Sequence, residues 1–445
     1  MGYRGDSLAL VTIIEGSLPA ERRQRRSRSF SALSAFSVWC TTYAAGLISS
    51  NAKMQRVLIT GFGVVSPLGG DNAENLKSLH NGTDCVSTVT AFDVSKTRCR
   101  TAGQVSNDWL KEPMTRKNQR LDRSSLMMLQ ATREAIRTAG QIVPEMMVIS
   151  TSSGGMFNGE RFYRSLIESR PRAGAARAVA NYMAQKPVLD VQEKFGWRIP
   201  AQIISNACAS GTNAIGHAFQ LVRAGLYESV ICGGYDPLSE LVFTGFDSLQ
   251  AATPEKIRPF DRDRNGLVLG EGAGVLVLES EPAAAARRAT VFGEIVGYGI
   301  STDNYHLTQP DPSGIGPKLA MERALADAKL DPASIDYVNA HGTATVFNDA
   351  TEGIAISDLM PSVPISSTKS MMGHALGGAG AIEAVFSLLA ILHQFLPPNI
   401  NFRQPEPDWT FRVVGNQEEP AKIRRVASNS FGFGGANATL ILQAA

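Results

Sequence analysis

The chain has 445 residues, a formal net charge of +2, 44% hydrophobic residues and only 19% charged residues. This composition predicts a globular enzyme with a large core, and it argues against a disordered chain and a nucleic-acid partner. The five cysteines are scattered without a CxxC pair, which argues for a reducing compartment without a disulfide framework or a metal site.

The N-terminal segment, residues 1–53, differs in composition from the rest of the chain. A basic run, ERRQRRSR, occupies residues 21–28, and a long uncharged stretch rich in Ser and Thr follows it. A transit peptide, a membrane anchor and an upstream extension before a natural start at Met54 all fit this pattern. We favour the extension, disordered or mis-assigned, because a strand pattern begins directly after Met54. A cytoplasmic location without membrane association is expected, with organellar import if the segment is a transit peptide.

From Met54 onward, short β-branched runs alternate with helical patterns. RVLITG (56–61), VICGGY (230–235) and GVLVLE (274–279) have the composition of buried strands. Apolar residues at helical spacing between residues 125 and 140 predict a helix that ends at Gly140. This alternation predicts an α/β fold with covered sheets.

Two pairs of segments resemble each other across the chain. LITGFGVVS (58–66) is echoed by IVGYGISTD (295–303), and AQIISNACASG (201–211) is echoed by IDYVNAHGTAT (335–345). A duplicated α/β unit would bring the ends of matching strands to a shared central cleft. We therefore predict two halves that divide near residue 290; chance similarity between Gly-rich turns is the alternative.

Cys208 is the first candidate for chemistry. It lies between an apolar strand and a run of helical character, and its neighbours from Ala207 to Gly211 are small. Such a position faces the positive end of a helix dipole, which favours a thiolate, and small neighbours let a substrate approach the sulfur. A simply packed cysteine is an equally good interpretation of this segment alone.

His341 in HGTAT and His374 in KSMMGHALGG each follow a strand-like run and precede small residues. Two neutral imidazoles can donate to one carbonyl oxygen, as enolate stabilisation requires. Lys369 is either a solvated surface lysine or a buried residue of the site. A buried lysine would need a carboxylate partner, and Glu352 is a candidate. The Gly-rich segment SNSFGFGGANATL is either a hairpin or a turn whose Phe433 N–H completes an oxyanion hole with that of Cys208.

Taken together, six motifs in order resemble the β-ketoacyl-acyl carrier protein synthases of the elongating type with a Cys-His-His site. The motifs are NACASG (206–211), RPFDRDRNGLVLGEGAG (258–274), STDNYHLTQPDP (301–312), NAHGTATVFND (339–349), SSTKSMMGH (366–374) and NSFGFGG (429–435). The resemblance implies a thiolase fold, a homodimer, and duplicated βαβαβαββ halves in a five-layered α-β-α-β-α arrangement. Residues 54–290 would be the half with the nucleophile, and residues 291–445 the half with both catalytic histidines.

The resemblance also implies roles for individual residues. Cys208 would be the acylated nucleophile, His341 and His374 would hold the malonyl thioester carbonyl, and Lys369 would order the network beside Glu352. The pocket would be formed by a gating phenylalanine, a second phenylalanine and threonines that contact pantetheine: Phe433, Phe431, Thr308, Thr343 and Thr345. No tightly bound cofactor is implied, because phosphopantetheine arrives on the acyl carrier protein.

The basic run TRKNQRLDR (115–123) resembles the helix that receives the acidic carrier protein. An ordinary solvated face explains the run equally well. The candidate docking residues are Arg116, Lys117, Arg120 and Arg123.

Departures from the family pattern concern the pocket. The chain reads STSSGG at residues 150–155 where the family usually reads GSGIGG, so Ser153 stands where an apolar residue often limits acyl-chain length. Residues 161–185 also match poorly, and Ala436 replaces a threonine. A specialised polyketide or polyene ketosynthase is therefore the alternative to a fatty acid synthase.

Three further alternatives are disfavoured by single residues. A degradative thiolase needs a second cysteine near the C-terminus, and none follows Cys232. The initiating synthases use Cys-His-Asn, which His374 contradicts. A non-catalytic chain-length partner normally lacks the nucleophile, whereas this chain retains Cys208.

Overall fold

The computed structural model describes most of the chain after the N-terminal segment, namely residues 54–113, 115, 118, 121–168 and 179–445. The predicted extension, residues 1–53, lies outside the described residues, as do Arg116, Lys117 and Arg120 of the predicted docking run. Gln55–Ala445 form one structural unit.

Buried, β-branched runs form the strands, as the alternation predicted. The strands before residue 290 are β1 (Val57–Val65), β2 (Val86–Thr88), β3 (Thr101–Gly103), β4 (Met146–Ser150), β5 (Ala201–Ile204), β6 (Ser229–Asp236) and β7 (Gly272–Ser280). The strands after it are β8 (Gly293–Thr302), β9 (Tyr337–Asn339), β10 (Pro364–Ser366), β11 (Phe395–Leu396), β12 (Arg412–Val413), β13 (Glu419–Pro420), β14 (Arg425–Gly432) and β15 (Ala436–Gln443).

The helices connect these strands and follow the sequence signals for helix ends. They are α1 (Asn72–Asn81), α2 (Arg123–Thr138), α3 (Met156–Ile167), α4 (Lys186–Phe195), α5 (Ser210–Arg223), α6 (Glu240–Ser248), α7 (Glu281–Ala286), α8 (Ile315–Ala328), α9 (Val346–Leu359), α10 (Lys369–Met372) and α11 (Ala379–His393). In α2, the side chain of Asp122 accepts a hydrogen bond from Ser125 N, which caps the N-terminus. Gly140 follows the C-terminus with a φ of 81°, as its position in the sequence predicted.

The large sheet of the described chain contains the same connectivity twice. In the first half, β1, β7 and β6 are antiparallel neighbours, and β6, β4 and β5 are parallel neighbours. In the second half, β8, β15 and β14 are antiparallel, and β14, β9 and β10 are parallel. Each half therefore reads βαβαβαββ, and the predicted duplication of the thiolase fold is confirmed.

This repeat identifies the corresponding strands and corrects one of the two sequence echoes. The echo between residues 58–66 and 295–303 pairs β1 with β8, which are true counterparts. The echo between residues 201–211 and 335–345 pairs β5 with β9, whereas the counterpart of β5 is β10. Gly-rich turns follow several buried strands in this fold, so similarity between two such turns does not identify matching strands.

The helices form layers on both sides of each half of the sheet. Helices α2 and α4 cover the outer face of the first half, and α8 and α9 cover that of the second half. Helices α5 and α11 pack against each other and against strands of both halves. Among the described residues, Leu376–His393 is the one helical stretch with the length and composition of a membrane span, and it is 89% buried inside the protein. Helix α11 is therefore apolar because it is buried in the central layer, which it forms with α5.

Candidate active site

Cys208 lies between β5 and the first turn of α5, in a sharp turn. Ala207 precedes it with a φ of 46°, a left-handed conformation that is uncommon for a residue with a side chain. The backbone N–H groups of Phe433 and of Cys208 itself face the sulfur and favour its ionised form, as does the charge of Lys369. Burial is the larger effect and raises the pKa of Cys208 to about 11, so the resting side chain is a thiol rather than the expected thiolate.

His341 follows β9, and His374 follows the short helix α10 after β10. The Cys208 Sγ and one ring nitrogen each of His341 and His374 all lie within 4.8 Å of one another. The two imidazole rings meet edge to face with centroids 5.2 Å apart. Burial, the charge of Lys369 and, for His341, its neighbour His374 hold the pKa of both imidazoles well below the usual range. Both rings are therefore neutral near pH 7, as enolate stabilisation requires.

The Lys369 ammonium is fully buried and ties the two histidine segments together. Its Nζ donates to the backbone oxygen of His341 at 2.7 Å and forms an ion pair with Glu383. Glu383 lies on α11 and is 1% exposed. The prediction that Glu352 is the partner of Lys369 was wrong, because the carboxylate of Glu352 is engaged elsewhere.

Glu352 instead stabilises the turn that presents His341. Its carboxylate accepts the backbone N–H groups of His341 at 2.9 Å and Gly342 at 2.8 Å, and the amide of Asn429 at 3.1 Å. The turn needs this support because Ala344, a residue with a side chain, has a positive φ value. Burial raises the pKa of Glu352 to about 7, and the backbone donors oppose that rise.

A cavity of about 190 Å³ opens onto these groups. It brings together the nucleophile, both histidines and every residue predicted for the pantetheine and gate positions, namely Cys208, His341, His374, Thr308, Thr343, Thr345, Phe431 and Phe433. The hydroxyls of Thr343 and Thr345 are hydrogen-bonded at 2.9 Å. The predicted site residues are thus neighbours, although they come from both halves of the fold.

Phe433 lies in a glycine-rich turn between β14 and β15, as predicted. Its ring stacks on Phe246 with centroids 5.4 Å apart, and Gly434 and Gly435 follow with positive φ values. Phe431 lies with its ring centroid 6.0 Å from that of His341. The end of β14 therefore places one aromatic ring beside a histidine, and the turn positions the Phe433 N–H at the Cys208 sulfur.

Two predicted binding residues have other partners in the structure. The N–H and hydroxyl of Ser153 both bind the carboxylate of Asp236, at 2.9 and 2.7 Å, and Ser153 does not line the cavity described above. Arg123 binds the almost fully buried Glu271 at 2.8 Å and the backbone oxygen of Val105. Arg123 therefore balances the charge of a buried carboxylate, and its docking role stays a prediction.

Sequence reasoning missed Glu383 and Asp236, although both carry a sequence signal. Glu383 is the only charged residue in the apolar run ALGGAGAIEAVFSLLAIL, where an unpaired charge would be costly. Asp236 ends the buried strand VICGGYD. An acidic residue inside or at the end of an apolar run is therefore a useful indicator of a buried polar network.

Comparison with known proteins agrees with this geometry. Residues 54–284 match the Beta-ketoacyl synthase, N-terminal domain, and residues 292–403 match the Beta-ketoacyl synthase, C-terminal domain. The chain is 36% identical over 412 residues to 3-oxoacyl-[acyl-carrier-protein] synthase 2 of Synechocystis sp., covering 88% of this chain and 99% of that protein.

Solved ketosynthases also share the fold. The ishigamide ketosynthase/chain length factor superposes with a TM-score of 0.82 at 33% identity, over 88% of this chain and all of that one. A type II polyketide ketosynthase bound to a hexaketide and in complex with its acyl-carrier protein superposes with a TM-score of 0.79 at 28% identity, with the same coverage. With the Cys-His-His cavity already described, these matches establish that the chain belongs to the β-ketoacyl synthase family.

Proposed function

We propose that the protein is a 3-oxoacyl-[acyl-carrier-protein] synthase that elongates fatty acids by decarboxylative Claisen condensation. The observation that carries this proposal is the cavity in which one thiol meets two neutral imidazoles, Cys208 with His341 and His374. A thiol can hold an acyl group as a thioester, and neutral imidazole N–H groups can stabilise an enolate without charging it.

In the first half-reaction, the Cys208 sulfur attacks the thioester carbonyl of an acyl group on carrier-bound phosphopantetheine. The oxyanion of the tetrahedral intermediate accepts hydrogen bonds from the backbone N–H groups of Phe433 and Cys208, which face the sulfur in the resting site. Collapse of this intermediate breaks the bond to the pantetheine sulfur, which leaves as a thiol with the proton released from Cys208. The product is an acyl-enzyme thioester.

In the second half-reaction, a malonyl group on carrier-bound phosphopantetheine occupies the same cavity. His341 and His374 donate to its thioester carbonyl oxygen while the carboxylate leaves as carbon dioxide. The resulting enolate carbon attacks the acyl-enzyme carbonyl, and the bond to Cys208 breaks. The 3-oxoacyl chain stays on the carrier protein, and the Cys208 thiolate takes up a proton from solvent.

Replacing the nucleophile tests the proposal directly. Cys208→Ala should form no acyl-enzyme and show no condensation, measured by intact mass after incubation with acyl-carrier protein and by product formation. Cys85→Ala is the matched control, because Cys85 is a free, partly buried thiol that does not line the cavity. Full condensation by the Cys208→Ala variant would contradict the assignment of Cys208 as the nucleophile.

A ketosynthase of a specialised polyketide or polyene pathway is the second candidate. It is favoured by the type II polyketide ketosynthase among the structural relatives. Turnover with a ladder of saturated and polyunsaturated acyl-carrier substrates distinguishes the two. Fatty acid elongation predicts a preference for saturated chains, and a polyene pathway predicts the reverse.

The remaining parts of the proposal concern partners and location. We expect an acyl carrier protein to deliver both substrates, and a homodimer to be the working form. The basic run at residues 115–123 remains the predicted docking segment. A cytoplasmic location, or an organelle if residues 1–53 direct import, also remains a prediction.

A further inference from the structure

Asp236 is a fully buried carboxylate that ends β6 beside the active site without lining its cavity. Its Oδ1 accepts the N–H and hydroxyl of Ser153 and the hydroxyl of Thr151, and its Oδ2 accepts the N–H groups of Ser152 and Gly377 at 2.9 and 2.7 Å. Three of these donors are backbone N–H groups, which can only donate. Burial raises the pKa of Asp236, and these donors oppose that rise, because a proton on the carboxylate would face them.

The donors to Asp236 come from two segments that lie far apart in the sequence. Ser152 belongs to the turn after β4, whereas Gly377 belongs to the short 3₁₀ helix Leu376–Gly378, which follows His374. Ser150 reinforces the same junction, since its hydroxyl donates to the backbone oxygen of Gly377 at 3.0 Å. One carboxylate thus joins the first half of the fold to the segment that carries a catalytic histidine.

A second link runs from the same turn to the nucleophile. The hydroxyl of Ser152 donates to the backbone oxygen of Ala207 at 2.8 Å, immediately before Cys208. Ala207 and Leu376 both have positive φ values, 46° and 49°. Such conformations are unfavourable for residues with a side chain and persist only where surrounding contacts fix them.

We propose that Asp236 is a positioning residue for the condensation reaction: through Ser152 and Gly377 it fixes the turn of Cys208 relative to the segment of His374. This inference rests on the proposed function, because the distance between nucleophile and histidine matters only if both act on one substrate. The carboxylate acts through hydrogen bonds and touches no substrate, so it sets geometry rather than taking part in bond making.

The first test replaces the carboxylate by an amide of the same shape. Asp236→Asn places an NH₂ group against N–H donors, so at least one link must break. We expect kcat for condensation to fall by about tenfold to a hundredfold, with KM for the acyl-carrier substrates within about threefold of wild type. A folded variant with kcat within twofold of wild type would overturn the proposal.

A second variant keeps the test valid if Asp236→Asn does not fold. Ser152→Ala removes only the hydroxyl that reaches Ala207, and we expect kcat to fall by about threefold to tenfold. Ser78→Ala is the matched control, because its hydroxyl also donates to a backbone oxygen, that of Leu68 at 2.7 Å, outside the site. Equal kcat values for the Ser152→Ala and Ser78→Ala variants would overturn the proposal.

Alkylation of Cys208 by iodoacetamide separates this inference from the proposed function. The charged and titratable groups around the sulfur are Lys369, Asp236, His341 and His374. Loss of the Asp236 charge should move the pH midpoint of alkylation downward, because that charge raises the pKa of the thiol. Ser152→Ala keeps the charge and should leave the midpoint in place.

The alkylation readout needs no condensation. If wild type does not condense, the proposed function fails while the midpoint shift still tests the placement of Asp236 beside Cys208. If wild type condenses and the Asp236→Asn variant shows an unchanged midpoint and unchanged kcat, the positioning role fails and the proposed function stands.

Discussion

The two halves of the fold follow the same chain path but use their matching positions differently. After β5, the first half places Cys208 at the start of α5; after β10, the second half places Lys369 and His374 ahead of α11. The first half thus contributes a neutral thiol, and the second contributes a buried ion pair and two uncharged imidazoles. The repeated chain path brings the strand ends of both halves together. The side chains at those ends differ in role: the first half supplies the nucleophile, and the second supplies the groups that stabilise developing charge.

The largest expected effect concerns the buried ion pair of the second half. Lys369→Met leaves the Glu383 carboxylate unpaired in the central layer and should lower the free energy of unfolding by about 3–5 kcal/mol. Urea denaturation followed by circular dichroism measures the loss. Lys318→Met is the matched control, because Lys318 forms a partly exposed pair with Asp358 and should cost less than about 1 kcal/mol.

The double variant Lys369→Met with Glu383→Leu distinguishes an unpaired charge from lost packing. Removing both charges should recover most of the stability, since apolar residues of similar volume replace buried ion pairs at little cost. Activity should stay low, because the contact between Lys369 and the backbone of His341 is also gone. If the double variant is as unstable as Lys369→Met, the unpaired Glu383 charge is not the cause of the lost stability.

The second prediction separates the contributions of the halves to the reaction. His341→Ala and His374→Ala should each slow decarboxylation of malonyl-carrier protein by about a hundredfold to a thousandfold, as loss of an oxyanion donor does. Acyl transfer to Cys208 should persist in both variants. Carbon dioxide release and intact mass measure the two steps separately, with His393→Ala, an exposed residue at the end of α11, as control.

The histidines also determine the pH dependence of decarboxylation. Burial and the positive charge of Lys369 lower the pKa of both imidazoles, so they stay neutral as the pH falls through about 6.5, where an ordinary histidine gains a proton. The acidic limb of the pH–rate profile should therefore lie well below that value. Lys369→Met removes a charge that lowers these pKa values and should move the limb to higher pH. A wild-type limb near 6.5 would contradict the burial argument.

The sequence predicted the residue types of the site better than their partners. Cys208, His341 and His374 stand in turns rich in small residues, and such turns are visible in a single sequence. Glu352 was the candidate partner of Lys369, yet Glu383 on α11 binds the lysine and Glu352 binds a backbone turn. A carboxylate can bind a lysine or backbone N–H groups equally well, and only the packing of the helices decides which.

The fold shows the same limit. The alternation of strands and helices predicted the α/β class, and one repeated segment matched β1 to β8 correctly. The second echo matched β5 to β9, because strand correspondence depends on pairing order in the sheet, which local sequence does not encode. Ser153 illustrates the point for single side chains: its direction is set by the buried Asp236, a residue 83 positions away.

A further prediction concerns the close approach of the two halves in the central layer. A methyl group on Gly211 of α5 would lie 2.6 Å from the backbone nitrogen of Ala381 on α11. Gly211→Ala should therefore separate the helices and cost about 1–3 kcal/mol of stability. Gly245→Ala is the matched control, because that helical glycine has open space around it and should gain up to about 1 kcal/mol. Equal stabilities of the two variants would mean that the helices can move apart freely.

The smallest effect is expected for substrate positioning by the second half. Thr343 lines the cavity, and its hydroxyl is hydrogen-bonded to that of Thr345. Under the proposed function, these hydroxyls would bind the pantetheine of the carrier-bound substrate. Thr343→Val should lower kcat/KM for carrier-bound substrates by about twofold to tenfold, the value of a single neutral hydrogen bond. Alkylation of Cys208 by iodoacetamide, which carries no pantetheine, should be unchanged. If the alkylation rate falls in parallel, Thr343 supports the geometry of the Cys208 thiol rather than substrate binding. The second half would then also help to position the nucleophile of the first half.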